Sequence, residues 1–184
     1  MTVSRYALVA YVKNSVGEFV ESLRRELHPN LPHLAAHLTV LPPRRLQGNE
    51  LAAREMLDEI CSQTEPFRIG LGPVETFVPS TATVFIRVQT NVNRLMELHD
   101  RLNVKTLGSE EEWPYMPHLT IVKMTTEAEA REAYEVACQR WAQFAGERSV
   151  SVEELTFVRE DEENCWVDLA GVPLGRSLVS PHYR

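Results

Sequence analysis

The chain of 184 residues has little of what would place it in several large protein classes. Its three cysteines, Cys61, Cys138 and Cys165, are an odd number without paired spacing, which excludes a disulfide scaffold and argues against a catalytic thiol. Cys61 and Cys138 fall on apolar helical stripes, so buried, reduced thiols are expected. No apolar run approaches the ~20 residues that a bilayer-spanning helix needs. The N-terminal segment lacks the charged-then-apolar plan of a secretory signal, so a cytoplasmic protein is expected. Basic charge is also short: 19 Lys and Arg against 26 Asp and Glu give a net charge of −7. That balance excludes a broad, sequence-independent nucleic-acid footprint, which needs many phosphate contacts from cations. The shortage is uneven, because residues 1–45 carry six basic and three acidic groups, leaving −10 for the rest. A local anion site near the first motif therefore stands beside the plainer reading, in which Arg24 and Arg25 only solvate a helix face.

What the chain does have is a repeated tetrapeptide. His37-Leu38-Thr39-Val40 recurs 81 positions later as His118-Leu119-Thr120-Ile121. A chain of this composition holds about 0.07 His-apolar-Thr-apolar patterns by chance. In a strand, side chains alternate between faces, so each His shares a face with its Thr, about 7 Å away, and the apolar pair anchors the strand from behind.

Both copies sit in similar surroundings. Tyr6 to Val12 reads as a buried strand, and Ser15 with Glu18 forms a capping box for a helix that ends near His28-Pro29. The first motif strand should end at Pro42-Pro43. Asn49 caps a second helix with Ala53, Leu57, Ile60 and Cys61 on one face. Strands are expected at Phe67–Leu71, Val74–Val78 and Thr83–Val88, with a break at Gly72-Pro73. A helix should follow from Val92 to about Leu107-Gly108. After an acidic loop, Glu110 to Glu112, comes the second motif strand, then a helix capped by Thr126 and Glu129. Val150–Val158 and Cys165–Leu169 should form a hairpin around residues 159–164. The order of elements in the first half returns in the second, a weak internal duplication. Helices with one apolar face beside short strands imply an α+β fold of sheets covered on one side. Two such lobes, forming a single domain over 1–184, would bring both motifs to a shared cleft.

Two histidines in one cleft suit phosphodiester chemistry. With an unperturbed pKa near 6.5, one imidazole can be neutral and take a proton while the other, protonated, gives one to the leaving oxygen. The Thr39 and Thr120 hydroxyls can donate to non-bridging phosphate oxygens. No metal or other cofactor is required. The H-x3-H spacing of His33 and His37 suggests zinc only on a helix, and here prolines precede a strand. Arg44 and Arg45 follow a Pro-Pro turn, where a phosphate contact competes with solvent exposure. Trp113 packs at a cleft rim or stacks a base.

These motifs resemble the 2H phosphoesterase superfamily. His37-Leu-Thr-Val-Leu-Pro-Pro-Arg44 and Tyr115-Met-Pro-His-Leu-Thr-Ile-Val-Lys123 are similar to the 2′-5′ RNA ligase-like branch. The resemblance implies two pseudo-symmetric α+β lobes, each an antiparallel sheet covered on its outer side, around a central cleft. It implies a metal-independent phosphodiesterase acting on 2′,3′-cyclic phosphates or 2′-5′ bonds of nucleotides or RNA ends. His37, Thr39, His118 and Thr120 carry over as catalytic residues. Lys123 matches a basic position after the second motif, and Tyr115 a position where a ligand group is common, so both join Arg44 as candidate substrate contacts. The acidic balance, with Glu110–Glu112 beside the second motif, disfavours a long polyanion and favours a small nucleotide or chain end. A monomer without membrane attachment is expected. The alternative is a non-catalytic module that binds nucleotides or RNA ends in the same cleft.

Overall fold

A computed structural model describes residues 4–30 and 34–175. His33 and the C-terminal tail with His182 lie outside the described residues. The elements run β1 (Tyr6–Tyr11), α1 (Ser15–Leu27), β2 (His37–Arg44), α2 (Glu50–Ser62), β3 (Phe67–Thr76), β4 (Thr83–Thr90), α3 (Val92–Leu102), β5 (His118–Lys123), α4 (Glu127–Gln143), β6 (Ser149–Val152), β7 (Glu154–Glu162) and β8 (Cys165–Pro173). Every strand pairing among the described residues is antiparallel, and the strands form one sheet in the order β6-β3-β4-β5-β2-β1-β7-β8. The fold is α+β, as expected, and both motif strands lie at the centre of the sheet.

The sheet consists of two related halves. In each, a motif strand pairs with the strand that precedes its crossover helix: β2 with β1, and β5 with β4. Among the described residues the strands of the two halves pair at one position, Leu38 opposite Leu119. They are also interlocked, because α1 packs behind β5 and α3 behind β2, each crossing to the other half. The helices cover one face of the sheet with a single apolar core: Val16, Val20 and Leu23 of α1, Leu57 of α2, Leu95 and Leu98 of α3, and Ala133 and Trp141 of α4 meet Leu8, Leu38, Ile86 and Leu119. The opposite face carries a small cluster of Ala7, Val9 and Val158, and so remains open for a site. Gly17 lets α1 approach this closely, since a Cβ there would stand 1.8 Å from the Val12 carbonyl oxygen. Among the described residues no helix is long and apolar enough to cross a membrane.

Several local expectations shift. Asn14, one residue before Ser15, caps α1 by accepting from the Val16 and Gly17 amides. The capping box at Thr126 and Glu129 forms as read. Neither proline site breaks its strand: β2 runs through Pro42-Pro43 to Arg44, and β3 through Gly72-Pro73, each at a shift in register. Bulges tolerate a missing N–H, and at the second one the Trp141 indole donates to the freed Gly72 carbonyl at 2.9 Å. Helix α3 stops at Leu102, and a 3-10 turn occupies Lys105–Leu107. The expected strand Val150–Val158 is two strands on opposite halves, β6 against β3 and β7 against β1, parted at Glu153. Cys61 is buried as expected, but Cys138 is only partly buried and Cys165 is exposed at the start of the edge strand β8.

Among the described residues the Leu38–Leu119 contact is the sole strand pairing between the halves, and both side chains are buried. Leu119→Ala should therefore destabilise the protein by about 3 kcal/mol, read as a lower urea midpoint at unchanged m-value. A loss below about 1 kcal/mol would show that the junction does not hold the halves.

Candidate active site

The junction sets the geometry of both motifs. Leu38 faces Leu119 across an antiparallel pair, so the register brings His37 opposite Thr120 and Thr39 opposite His118. Leu38, Val40, Leu119 and Ile121 are buried on the helix side, while His37, Thr39, His118 and Thr120 are partly exposed on the other. The four polar side chains thus share one face about a local two-fold axis.

The two imidazoles are fixed in the same way. Nδ1–H of His37 donates to the Ala35 carbonyl at 2.7 Å, and Nδ1–H of His118 to the Met116 carbonyl at 2.7 Å. In the neutral ring this bond places the proton on Nδ1 and leaves Nε2 as a lone-pair acceptor. Burial pushes the His37 pKa down to about 4; the bond to Ala35 opposes this, while the charges of Arg24 and His118 add to it. Burial also lowers His118, again opposed by its carbonyl bond. Tyr11 stands edge-on to His37, with ring centres 6.4 Å apart, and its hydroxyl donates to Asp168 at 2.6 Å. Phe77 and Phe85 each stand 5.1 Å from the His118 ring. Arg87, opposite His118 in the register, pairs with Glu75 at 3.1 Å. Tyr11, Asp168, Arg87 and Glu75 were invisible to motif reading; strand alternation would have placed them on this face had the pairing of β1 with β7 and of β3 with β4 been known.

Because β2 and β5 pair at one point and then diverge, the backbone carbonyls beside the junction need other partners. Side chains supply them. The Tyr115 hydroxyl donates to the Thr39 carbonyl at 2.9 Å. Buried Arg24 donates to the carbonyls of Thr120 at 2.9 Å, Ile121 at 2.8 Å and Leu34 at 2.8 Å. It is flanked by Glu21 at 3.2 Å, whose carboxylate accepts from the Ala36 amide at 2.6 Å. Arg24 is thus a clamp between the approach to β2 and the backbone of β5, which corrects its reading as part of a solvated helix face; Arg25 is exposed.

The expected substrate contacts divide. Arg44 is buried and saturated, donating to Pro42 O, Asn103 Oδ1 and Leu107 O and pairing with Glu111. It faces away from the cleft because the bulge at the Pro-Pro turn keeps it on the helix side. Tyr115 has its hydroxyl committed to Thr39 and its ring stacked 4.1 Å from that of His99, whose Nε2 lies 3.0 Å from Glu111. Both residues brace β2. Lys123 is exposed at the end of β5, opposite Thr83 in the register, and has no hydrogen bond or ion pair with its side chain among the described residues. Arg45 is exposed, and Trp113 is 64% exposed in the loop before β5. Among the described residues no group of three or more His, Cys, Asp or Glu is placed to hold a metal ion.

His37 is held neutral in the folded protein while its unfolded value lies near 6.5, so the unfolded chain binds the extra proton between about pH 6.5 and pH 4. Stability should fall as pH drops through that window, and thermal unfolding of His37→Gln should show a shallower decline than wild type. Arg24→Met removes the donors to two motif-strand carbonyls and should cost about 3 kcal/mol, read in urea at pH 7.

A protein of Oceanobacillus iheyensis named as a phosphoesterase is 26% identical over 122 residues, 65% of this chain and 70% of its own length. A like-named protein of Geobacillus thermodenitrificans is 25% identical over 133 residues, 71% and 75% of the two chains. Among solved structures, Escherichia coli LigT complexed with NADP+ matches with a TM-score of 0.62 at 16% identity, covering 96% of this chain and 100% of that one. The protein TT0787 of Thermus thermophilus matches with a TM-score of 0.61 at 14% identity, covering 93% and 98%. At these identities the structural likeness is one of fold. The sequence model of the 2′-5′ RNA ligase superfamily matches residues 12–164, a span that holds both motif strands and the junction between them. The chain belongs to that superfamily, within the 2H phosphoesterase family.

Proposed function

We propose that this phosphoesterase opens 2′,3′-cyclic phosphates or cleaves 2′-5′ phosphodiester bonds of nucleotides or RNA ends, with His37 and His118 as general base and general acid and no metal. The observation that carries the reading is the two-fold pair of imidazoles. Each has its Nδ1 committed to a carbonyl two residues upstream, which leaves Nε2 free to accept a proton, and each stands across the junction from the threonine of the other motif.

A phosphoryl group seated between the motifs meets both Nε2 atoms and both hydroxyls. Its negative charge favours the imidazolium and raises the depressed pKa values in the complex. The neutral ring then accepts a proton from the attacking water or hydroxyl, and the protonated ring donates one to the leaving oxygen. The roles exchange between a reaction and its reverse. Thr39 and Thr120 donate to the non-bridging oxygens, whose charge grows in the transition state. Lys123, exposed at the far end of β5 and without a side-chain partner among the described residues, is the candidate cation left from the expected substrate contacts. The presence of Glu75 and Asp168 on the same face favours a mononucleotide or chain end over extended RNA. Escherichia coli LigT has been crystallised with 3′-AMP and with phosphate, which supports a nucleotide substrate here.

The test is turnover of a panel of 2′,3′-cyclic nucleotides in the presence of EDTA. Wild type should be unaffected by the chelator, and His37→Ala and His118→Ala should each lose about 10²–10⁴-fold in kcat/KM. With both free-enzyme pKa values depressed, the kcat/KM optimum should lie below pH 6.5, and the optimum of kcat at higher pH. Wild-type turnover no greater than that of the alanine variants, with nucleotide still raising the melting temperature, would instead indicate a binding module.

A further inference from the structure

The two-fold relation between the motifs breaks down in what surrounds them. Opposite Thr120 in the register stands Phe85, stacked on Phe77 with ring centres 4.1 Å apart, so aromatic rings fill the space beside His118. Opposite Thr39 stands the smaller Val9, and beside His37 the same face holds a cavity of about 170 Å³. Val9, Ala7 and Pro43 give it apolar walls, Trp166 of β8 an aromatic one, and Asn164 in the β7–β8 turn a polar edge. A phosphate held at the motif pair therefore has room for its organic substituent on one side.

We infer that this cavity is the base subsite and that it selects a single-ring base, making the protein specific for pyrimidine nucleotides. A cavity of about 150 Å³ holds one benzene ring, so this one is filled by a six-membered heterocycle, and because it opens to solvent on one side the second ring of a purine lies outside it, off the Trp166 face. The indole is packed against the Ala7–Val9–Val158 cluster and thereby held for stacking. The Asn164 side chain has no hydrogen-bond partner among the described residues and offers both a donor and an acceptor to the edge of a base, in either amide orientation. Its turn is braced: the Asn164 amide donates to Glu160 at 2.9 Å, and Glu160 pairs with Arg5 at 2.5 Å. The polar edge is thus pre-set rather than formed on binding.

The inference rests on the reading that the motif pair holds the phosphate, and binding separates the two. Calorimetry with 3′-UMP, 3′-CMP, 3′-AMP and 3′-GMP should show the pyrimidine nucleotides binding about tenfold more tightly, the scale of one lost base stack. Trp166→Phe should keep the preference, and Trp166→Ala should abolish it. Asn164→Gly, which suits the positive φ of 59°, should weaken 3′-UMP severalfold in a protein that still folds. Equal or tighter purine binding, or an unchanged preference in Trp166→Ala, overturns the inference. A pyrimidine preference without turnover of cyclic phosphates leaves the inference standing and sinks the catalytic reading. Equal kcat/KM for all four 2′,3′-cyclic nucleotides sinks the base subsite alone.

Discussion

Leu38 and Leu119 form the contact on which the rest of the molecule depends. Each lies between a histidine and a threonine of its own motif, and each is buried in the helix-side core. Their pairing joins two four-stranded halves into one sheet, and the antiparallel register then sets His37 against Thr120 and Thr39 against His118. A slip of one residue would turn every motif side chain to the opposite face. The apolar residue between His and Thr therefore fixes the register of the site.

A junction of one pair leaves backbone groups without sheet partners, and the molecule meets that need with long side chains from elsewhere. Arg24 reaches from α1 to the carbonyls of β5, and Tyr115 from the loop before β5 to the carbonyl of Thr39. Each motif threonine thus has its backbone oxygen held by a side chain, while its hydroxyl stays on the open face. Glu111 is drawn into the brace by Arg44 and His99. Only Glu110 and Glu112 of the acidic loop are exposed, so the loop repels a polyanion less than its sequence suggests. The same enclosure desolvates the two imidazoles and lowers the pKa of each.

The motif strands, the four helices and the open face could be read from the chain because each is written in local periodicity: Val16, Val20 and Leu23 at helical spacing, and His-Leu-Thr-Val at strand spacing. What local pattern cannot encode is partner choice. The apolar alternation from Val150 to Val158 gives no sign that Val150 and Val152 pair with β3 while Leu155 and Phe157 serve β7 on the far half. The roles of Arg24, Arg44 and Tyr115 were hidden for the same reason. A cation or phenol near a motif looks the same in sequence whether it meets a ligand or an orphaned carbonyl, and the difference lies in contacts across 96 positions for Arg24 and 76 for Tyr115. Lys123, His37, Thr39, His118 and Thr120 lie on strands that the sequence places directly. The asymmetric wall around them, Val9 on one side and Phe85 on the other, required the register.

The proposed function requires the two histidines to act on one phosphate as a matched pair. Long-range ¹⁵N–¹H NMR of the imidazoles examines that pairing, with assignments from His37→Gln and His118→Gln. Both rings of the free protein should be neutral with the proton on Nδ1, and inorganic phosphate should move both Nε2 resonances with one common dissociation constant. Protonated Nε2 in either neutral ring, or a phosphate response at one histidine alone, would contradict it.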